Sequence, residues 1–301
     1  MKEMPINMIH EPVRVLSVGR VYCDLIFSQV PRLPKLGTEV FAGGLGLSAG
    51  GGAFISAAYL TAMGFKTALA SNLPRAPFYD TVCADIKALS IDSNLCRSAS
   101  ADTDPQVTVA LTCYQERAFL SRRNGPAIPE LQWLEESVDH SVEHLHIGEL
   151  RTLLEHPQII KFARDRNMSI SLDCGWEDNF GECDISVISK VDLFLPNEME
   201  YQALCKAGMA SMPAPITVIK CGEKGAKCLS VDGPTFSSVV PVNAVDTTGA
   251  GDAFNAGFIA KWLQKESFEE CLAAGNKCGA AAVQEIGGTS GVKHILTNVV
   301  H

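Results

Sequence analysis

The chain has 301 residues, of which 47% are hydrophobic and 20% are charged, and its formal net charge at pH 7 is −9. This balance supplies enough apolar material for a buried core and excludes a disordered, collagen-like or coiled-coil chain. The negative charge argues against a nucleic-acid partner, because phosphate contacts need a basic face. No apolar run approaches the roughly 18 residues of a membrane span, so we expect no contact with a membrane.

Two further observations concern the cellular compartment. The first residues lack the apolar stretch of a signal peptide, and the eleven cysteines are scattered without a CxxC pair. Free cysteines pack as small hydrophobic residues in reducing compartments. We therefore expect reduced thiols and a cytoplasmic location.

Short β-rich runs alternate with helical patterns along most of the chain. The first half predicts strands over 13–18, 67–70, 107–114 and 117–120, an extended run over 24–30, and helices over 53–63 and 78–89. The second half predicts strands over 144–147, 168–172, 192–195 and 216–219, and helices over 250–263 and 268–284. Short apolar strands of this kind are typical of a parallel sheet buried on both faces. We predict a single α/β domain over 1–301, with a small β lid from about 24–40 and 107–120.

The segment from Asp246 to Asp252, with the sequence DTTGAGD, is the most informative part of the chain. Asp and Thr favour a helix start, and aromatic residues repeat every four positions from Phe254 to Trp262, which predicts a helix with one buried face. Small residues in the first helical turn leave backbone N–H groups open to a ligand, and the helix dipole adds about half a positive charge. The sequence therefore predicts an anion site formed by Gly249, Ala250 and Gly251.

An aspartate beside such an anion site suits phosphoryl transfer. The amides would stabilise the charge of the transferred group, while Asp252 would accept the proton of an attacking hydroxyl. The alternative is that Asp252 is an ordinary acidic residue in the first turn of a helix, which is a common structural feature.

The same segment resembles the C-terminal signature of the ribokinase-like (PfkB) carbohydrate kinases. The resemblance implies a three-layer α/β sandwich with a central, mainly parallel sheet and a small β lid over the sugar. It also implies transfer of the γ-phosphoryl group of ATP, with Mg²⁺, to a hydroxyl of a sugar or nucleoside-like molecule. Asp252 would be the general base and the Gly249–Gly251 turn the anion hole.

Two N-terminal motifs resemble the sugar site of that family. Asp24 matches an aspartate that binds sugar hydroxyls, and Gly50 and Gly51 match a di-glycine motif. Relatives usually place asparagines where this chain has Tyr22 and Ile55. A site that has lost two hydrogen-bonding amides should bind ribose poorly. The prediction is a preference for a ligand with an apolar or aromatic part, such as a nucleoside or a deoxy sugar.

Other motifs resemble the nucleotide site. Asn197 and Glu200 match an Asn-x-x-Glu motif that organises magnesium and phosphate, with water between Glu200 and the metal. The segment 216–226 resembles the strand and turn beside the nucleotide. The resemblance therefore implies the following residues at the border of the nucleotide: Lys220, Gly222, Gly225 and Asn276.

Many relatives hold potassium beside the anion hole. Asp246, Thr248 and Ser290 occupy the matching places in this chain, so we predict that replacing potassium by a bulky organic cation lowers activity. Asp173 closes a predicted strand at the sheet edge where α/β proteins bind ligands, and either contacts a ligand or caps the strand.

Two expectations concern the whole protein. Besides its small-molecule substrate and ATP, a second copy of the chain could bind through the lid as a homodimer. A different function also stays open, namely a sugar- or nucleotide-binding regulatory protein on a degenerate kinase scaffold.

Overall fold

The computed structural model describes residues 14–100, 102–103, 106–113, 116–175, 177 and 180–296. The strands in these ranges are β1 (Arg14–Val18), β2 (Tyr22–Ser28), β3 (Gly44–Gly50), β4 (Lys66–Ala70), β5 (Asn72–Leu73), β6 (Arg97–Ser98), β7 (Val107–Cys113), β8 (Glu116–Arg122), β9 (Val142–Ile147), β10 (Ser169–Asp173), β11 (Leu193–Leu195), β12 (Ile216–Lys220), β13 (Ala226–Ser230) and β14 (Gly233–Ser237). The helices are α1 (Gly52–Ala62), α2 (Tyr79–Ala88), α3 (Leu131–Ser137), α4 (Leu150–Glu155), α5 (Ile159–Asp165), α6 (Glu182–Ile188), α7 (Glu198–Lys206), α8 (Ala250–Leu263), α9 (Phe268–Ala282) and α10 (Val292–Leu296).

A large sheet has the strand order β14-β13-β12-β11-β10-β9-β1-β4. Within this sheet the strands β4, β1, β9, β10, β11 and β12 are parallel to one another. The strands β13 and β14 extend the sheet as an antiparallel hairpin. The predicted, mainly parallel sheet is confirmed. The hairpin was not predicted from the sequence, because its strands are half exposed and β14 contains Pro234, a residue that sheets tolerate at an edge.

Helices cover both faces of the large sheet. Leu193 and Leu195 on β11 pack in one apolar cluster with α1, α8 and α9, whereas Phe194 packs in a second cluster with α3, α4 and α5. Alternation of this kind follows from the two-residue period of a strand and from burial on both sides. The architecture is the predicted three-layer sandwich.

A second, four-stranded sheet has the order β3-β2-β7-β8 and forms the lid. Within it, β2 pairs antiparallel with β3 and parallel with β7. The predicted lid segment 24–40 is partly wrong: no strand covers 29–43, and Gly44–Gly50 forms β3 instead. The glycines of β3 hid its strand pattern. One of them, Gly50, is required there, because a Cβ atom placed on it would lie 2.0 Å from Asp24 Oδ2.

The lid sheet has two chemically different faces. The cross-strand row Leu47–Leu25–Val109–Leu120 lies on the outer face, and Leu47 and Leu120 are 51% and 74% exposed. Asp24 and Arg117 alternate with these residues and therefore belong to the inner face.

Among the described helices, none has the length and apolar character needed to cross a membrane.

Candidate active site

Asp252 lies where two helices begin. It is in the first turn of α8, and a Cβ atom placed on Gly52, the first residue of α1, would lie 2.8 Å from Asp252 Oδ1. Ser56 Oγ of α1 donates to the backbone oxygen of Asp252 at 3.0 Å. Two helix N-termini thus converge on one carboxylate, and both dipoles favour negative charge at this point.

The turn before α8 needs glycine at its last position. Gly249 has a φ of 71°, in the left-handed region, and a Cβ atom there would lie 2.7 Å from Gly288 Cα and 3.0 Å from Ile55 Cδ1. Ile55 is 3% exposed and supports the backbone of both glycines. The structure therefore brings Ile55 to the predicted anion hole, packed against its turn.

A buried cluster of charges lies beneath Asp252. Lys220 Nζ is 2.8 Å from Asp173 Oδ1 and 3.0 Å from Asn255 Oδ1. Burial raises the pKa of Asp252 to about 8, and the charge of Asp173 adds to this rise while Lys220 opposes it. Burial likewise raises the pKa of Glu200 to about 7, again with a contribution from Asp173. The cluster can therefore hold and release protons near neutral pH.

The predicted sugar-side residues lie together at the junction of β2, β3 and α1. Gly50 is packed against Asp24, and a Cβ atom on Gly51 would lie 2.3 Å from the Arg20 carbonyl oxygen and 3.4 Å from Tyr22 Cδ2. Burial, together with the charge of Asp246, raises the pKa of Asp24 to about 7. Tyr22 shares the inner face of β2 with Asp24.

Four charged residues around Tyr22 were not among the predicted site residues, namely Arg20, Arg123, Glu149 and Glu155. Arg20 is 2% exposed. Its Nη2 lies 2.5 Å from Glu155 Oε2, and its Nε lies 3.5 Å from Glu149 Oε1. Arg123 Nη1 lies 2.6 Å from Glu177 Oε1. Burial and the charge of Glu149 raise the pKa of Tyr22. These side chains come from separate segments, so no local pattern could have predicted their meeting.

A cavity of about 490 Å³ lies on the other side of the α8 turn. Its lining includes the sequence-predicted residues Lys220, Gly222, Gly225, Ala250, Gly251 and Asn276. The lining also includes apolar residues that were not predicted to border the nucleotide, namely Val239, Val240, Pro241, Val242 and Phe254. Asn276 Nδ2 donates to the Ser237 carbonyl oxygen at 3.0 Å, which ties α9 to the end of β14. An apolar slot with a cationic end at Lys220 suits a nucleotide.

Asn197 and Glu200 form the capping box of α7. Asn197 Oδ1 accepts from Glu200 N at 2.9 Å, and Glu200 Oε2 accepts from Asn197 N at 2.8 Å. Lys220 N donates to Pro196 O at 2.9 Å, which brings this motif beside the charge cluster. The motif therefore has a structural role, whatever else it does.

The residues predicted to hold potassium have another cation beside them. Asp246 Oδ1 accepts from Arg117 Nη1 at 2.8 Å and from Thr248 N at 2.9 Å. Asp246 Oδ2 accepts from Gly287 N at 2.9 Å, and Ser290 Oγ donates to the Ile286 carbonyl oxygen at 2.7 Å. Arg117, which was not predicted as a site residue, thus contacts two of the three residues predicted to hold potassium, Asp246 and Thr248.

A comparison with protein families matches residues 14–295 to the model of the pfkB family carbohydrate kinases. The chain belongs to this family. This pfkB-family kinase is 28% identical over 288 residues to the ATP-dependent ribose-1-phosphate kinase of Halopiger xanaduensis, covering 92% of this chain and 94% of the relative. Membership makes the chain a carbohydrate kinase, which is a phosphotransferase.

Solved structures confirm the ribokinase fold of this kinase. Arabidopsis thaliana ribokinase, complexed with ribose and ATP, matches with a TM-score of 0.76 at 20% identity, covering 95% of this chain and 98% of that one. An Escherichia coli protein in complex with ATP and Mg²⁺ matches with a TM-score of 0.75 at 19% identity, covering 96% and 99%.

Proposed function

We propose that this kinase transfers the γ-phosphoryl group of ATP to a hydroxyl of a sugar or nucleoside-like molecule. The observation that carries the proposal is the position of Asp252. It lies between the nucleotide-sized cavity, which Ala250 and Gly251 line, and the sugar-side residues that precede α1. With Asp252 at this point, its side chain would lie between the bound nucleotide and the acceptor molecule.

The roles of the chain's own residues follow from this placement. Asp24 would bind acceptor hydroxyls, and Tyr22, Gly50 and Gly51 would shape the pocket around them. Asp252 would take the proton of the attacking hydroxyl, and the backbone of the Gly249–Gly251 turn would stabilise charge on the transferred group. The raised pKa of Asp252 favours this role, because a base whose pKa lies near the working pH transfers protons most effectively.

The described residues fit magnesium as part of a metal–nucleotide complex. They contain no group of three His, Cys, Asp or Glu side chains that could ligate a metal. Magnesium usually keeps several waters and binds through one or two carboxylates plus substrate phosphates. Glu200 and Asp173 are the carboxylates available beside Lys220. Bound magnesium would neutralise charge on the phosphates.

The test is an ADP-release assay with Mg-ATP and a panel of acceptors that includes ribose, fructose, adenosine and ribose 1-phosphate, the last because of the named activity of the Halopiger relative. Activity that needs both an acceptor and Asp252 supports the proposal. ATP and sugar binding without any turnover would instead favour the regulatory protein.

We also propose that two copies of this kinase associate through the outer face of the lid sheet. Contiguous exposed apolar patches mark interaction sites. The row that contains Leu47 and Leu120 is an exposed apolar part of that face.

A further inference from the structure

Arg117 joins the lid sheet to the turn that precedes the anion hole. Its Nη1 donates to Asp246 Oδ1 at 2.8 Å and also to Thr248 Oγ1, and its Nη2 donates to Thr247 Oγ1. The three acceptors are consecutive in sequence and end directly before Gly249. One guanidinium on β8 therefore contacts each of the three residues that precede Gly249 in the turn that leads into α8.

The contact between Arg117 and Asp246 is shielded from water. The side chains of Arg117 and Asp246 are 16% and 3% exposed. A charge-assisted hydrogen bond in such surroundings is stronger and more rigid than one at the surface. Phe119, on the same face of β8, lies against the guanidinium with 5.3 Å between the Arg117 Cζ and the ring centroid.

Asp246 connects a third segment to the same point. Its Oδ2 accepts from Gly287 N, and the next residue, Gly288, touches Gly249. Both carboxylate oxygens are therefore engaged, one by the lid and the other by the loop 287–290. The positions of the lid, the turn and the loop are coupled through a single buried carboxylate.

We propose that Arg117 is a positioning residue that brings a positive charge from the lid to Asp246, in place of a monovalent cation, and so fixes the 246–249 turn for phosphoryl transfer. The inference rests on the proposed kinase function. It has two consequences: activity requires the lid to be docked on the turn, and activity does not require potassium. The second consequence replaces the potassium prediction made from the sequence.

The shape of the side chain matters as much as its charge. A guanidinium presents donors in a planar fork and can reach several acceptors at once, whereas an ammonium is a compact point charge. Arg117→Lys should therefore keep the charge opposite Asp246 but lose the bonds to the two threonines. We expect it to lose less activity than Arg117→Ala.

The kinetic experiment compares the wild type with Arg117→Ala and with Arg32→Ala as the matched control. Arg32 is an exposed arginine between β2 and β3, and its hydrogen bonds stay within residues 33–39. We expect kcat of Arg117→Ala to fall by about 10²-fold, the scale of a misplaced active-site group, with smaller changes in both KM values. Guanidinium chloride at millimolar concentration should restore part of the rate, and tetramethylammonium at equal ionic strength should not.

Two outcomes would overturn the proposal. One is a kcat of Arg117→Ala within about threefold of the wild type. The other is a wild-type rate that falls when tetramethylammonium replaces potassium. Equal wild-type rates in both salts, with guanidinium rescue of the variant, support it.

A second readout does not depend on turnover. The Thr248 and Gly287 amides both donate to Asp246, so their hydrogen exchange should be faster in Arg117→Ala and unchanged in Arg32→Ala. Unchanged exchange in Arg117→Ala contradicts the proposal. If the wild type phosphorylates no acceptor, the proposed function fails while the exchange data still decide the role of Arg117. If Arg117→Ala does not fold, Arg117→Lys takes its place in both experiments, with smaller effects of the same sign.

Discussion

Asp252 is the residue on which the chemistry depends. Asp252→Asn keeps the size of the side chain and the helix start but removes the proton acceptor. We expect kcat to fall by about 10²–10⁴-fold with much smaller changes in KM, as for other lost general bases. Asp165→Asn, which alters an exposed pair with Lys161, is the control. Steady-state kinetics measure both, and more than a third of the wild-type kcat in Asp252→Asn would contradict the assignment.

The charge cluster predicts a pH dependence. Asp252 must be ionised to accept a proton, and its pKa is raised to about 8. At pH values below this pKa, kcat/KM should therefore decrease about tenfold for each pH unit, as expected when one ionised base in the free enzyme is essential. Lys220 lowers the pKa of Asp252, so Lys220→Gln should move the midpoint to higher pH.

The control for this shift is Lys227→Gln, an exposed lysine on the neighbouring strand β13. The pH profile of kcat/KM separates the two variants even if Lys220→Gln is slower overall. A midpoint of Lys220→Gln at or below that of the wild type would show that the ionising group is not next to Lys220.

At the level of the strand pair β2–β3, one glycine determines the sugar-side geometry. Gly50→Ala would place a Cβ atom 2.0 Å from Asp24 Oδ2, so the carboxylate must move. We expect a rise in acceptor KM of at least about tenfold, since displaced hydrogen bonds to a hydroxyl cost on this scale. Gly46→Ala on the same strand is the control, because its Cβ atom would meet only Ile26 Cβ, at 3.9 Å. Equal KM values in the two variants would refute this role of Asp24.

The helix α7 allows a structural role to be separated from a functional one. Asn197→Ala removes the N-cap side chain and should cost about 1 kcal/mol of stability. Ser267→Ala removes the equivalent cap of α9, and neither Ser267 nor its partner Glu270 lines the nucleotide cavity. Thermal unfolding should show similar losses in both variants. Only Asn197→Ala should also raise the KM for ATP. Equal KM values for ATP in the two variants would show that Asn197 acts only as a helix cap.

Elements with a regular apolar pattern could be predicted, and those that depend on distant neighbours could not. The core strands β9 to β12 and the helices α8 and α9 follow from runs and periods of buried residues, and the DTTGAGD segment indicated the turn before α8. The strand β3 could not be predicted, because Gly44, Gly46 and Gly50 have no side chains and therefore show no alternation of apolar and polar residues. The roles of Arg117 and Arg20 could not be predicted, because their partners lie more than a hundred residues away in sequence.

For the whole molecule, the lid provides a test of assembly. Leu47→Glu places a charge at the β3 end of the outer apolar row, which should separate two copies because an unpaired charge in an interface is costly. Light scattering after size exclusion should show the mass of a dimer for the wild type and of a monomer for the variant. Val231→Glu, at an exposed turn between β13 and β14, is the control. A monomeric wild type, or a dimeric Leu47→Glu, would refute the proposed interface.

The parallel pairing of β2 with β7 also affects the nascent chain. The register joins Asp24 to Thr108, so β2 and β3 leave the ribosome long before β7, the strand that pairs with the second edge of β2. Until β7 emerges, one edge of β2 is open, next to the apolar side chains of Leu25 and Phe27. Open apolar edges recruit strands from other chains. We expect the growing polypeptide to be most prone to aggregation, and most dependent on chaperones, during the synthesis of the stretch between β3 and β7.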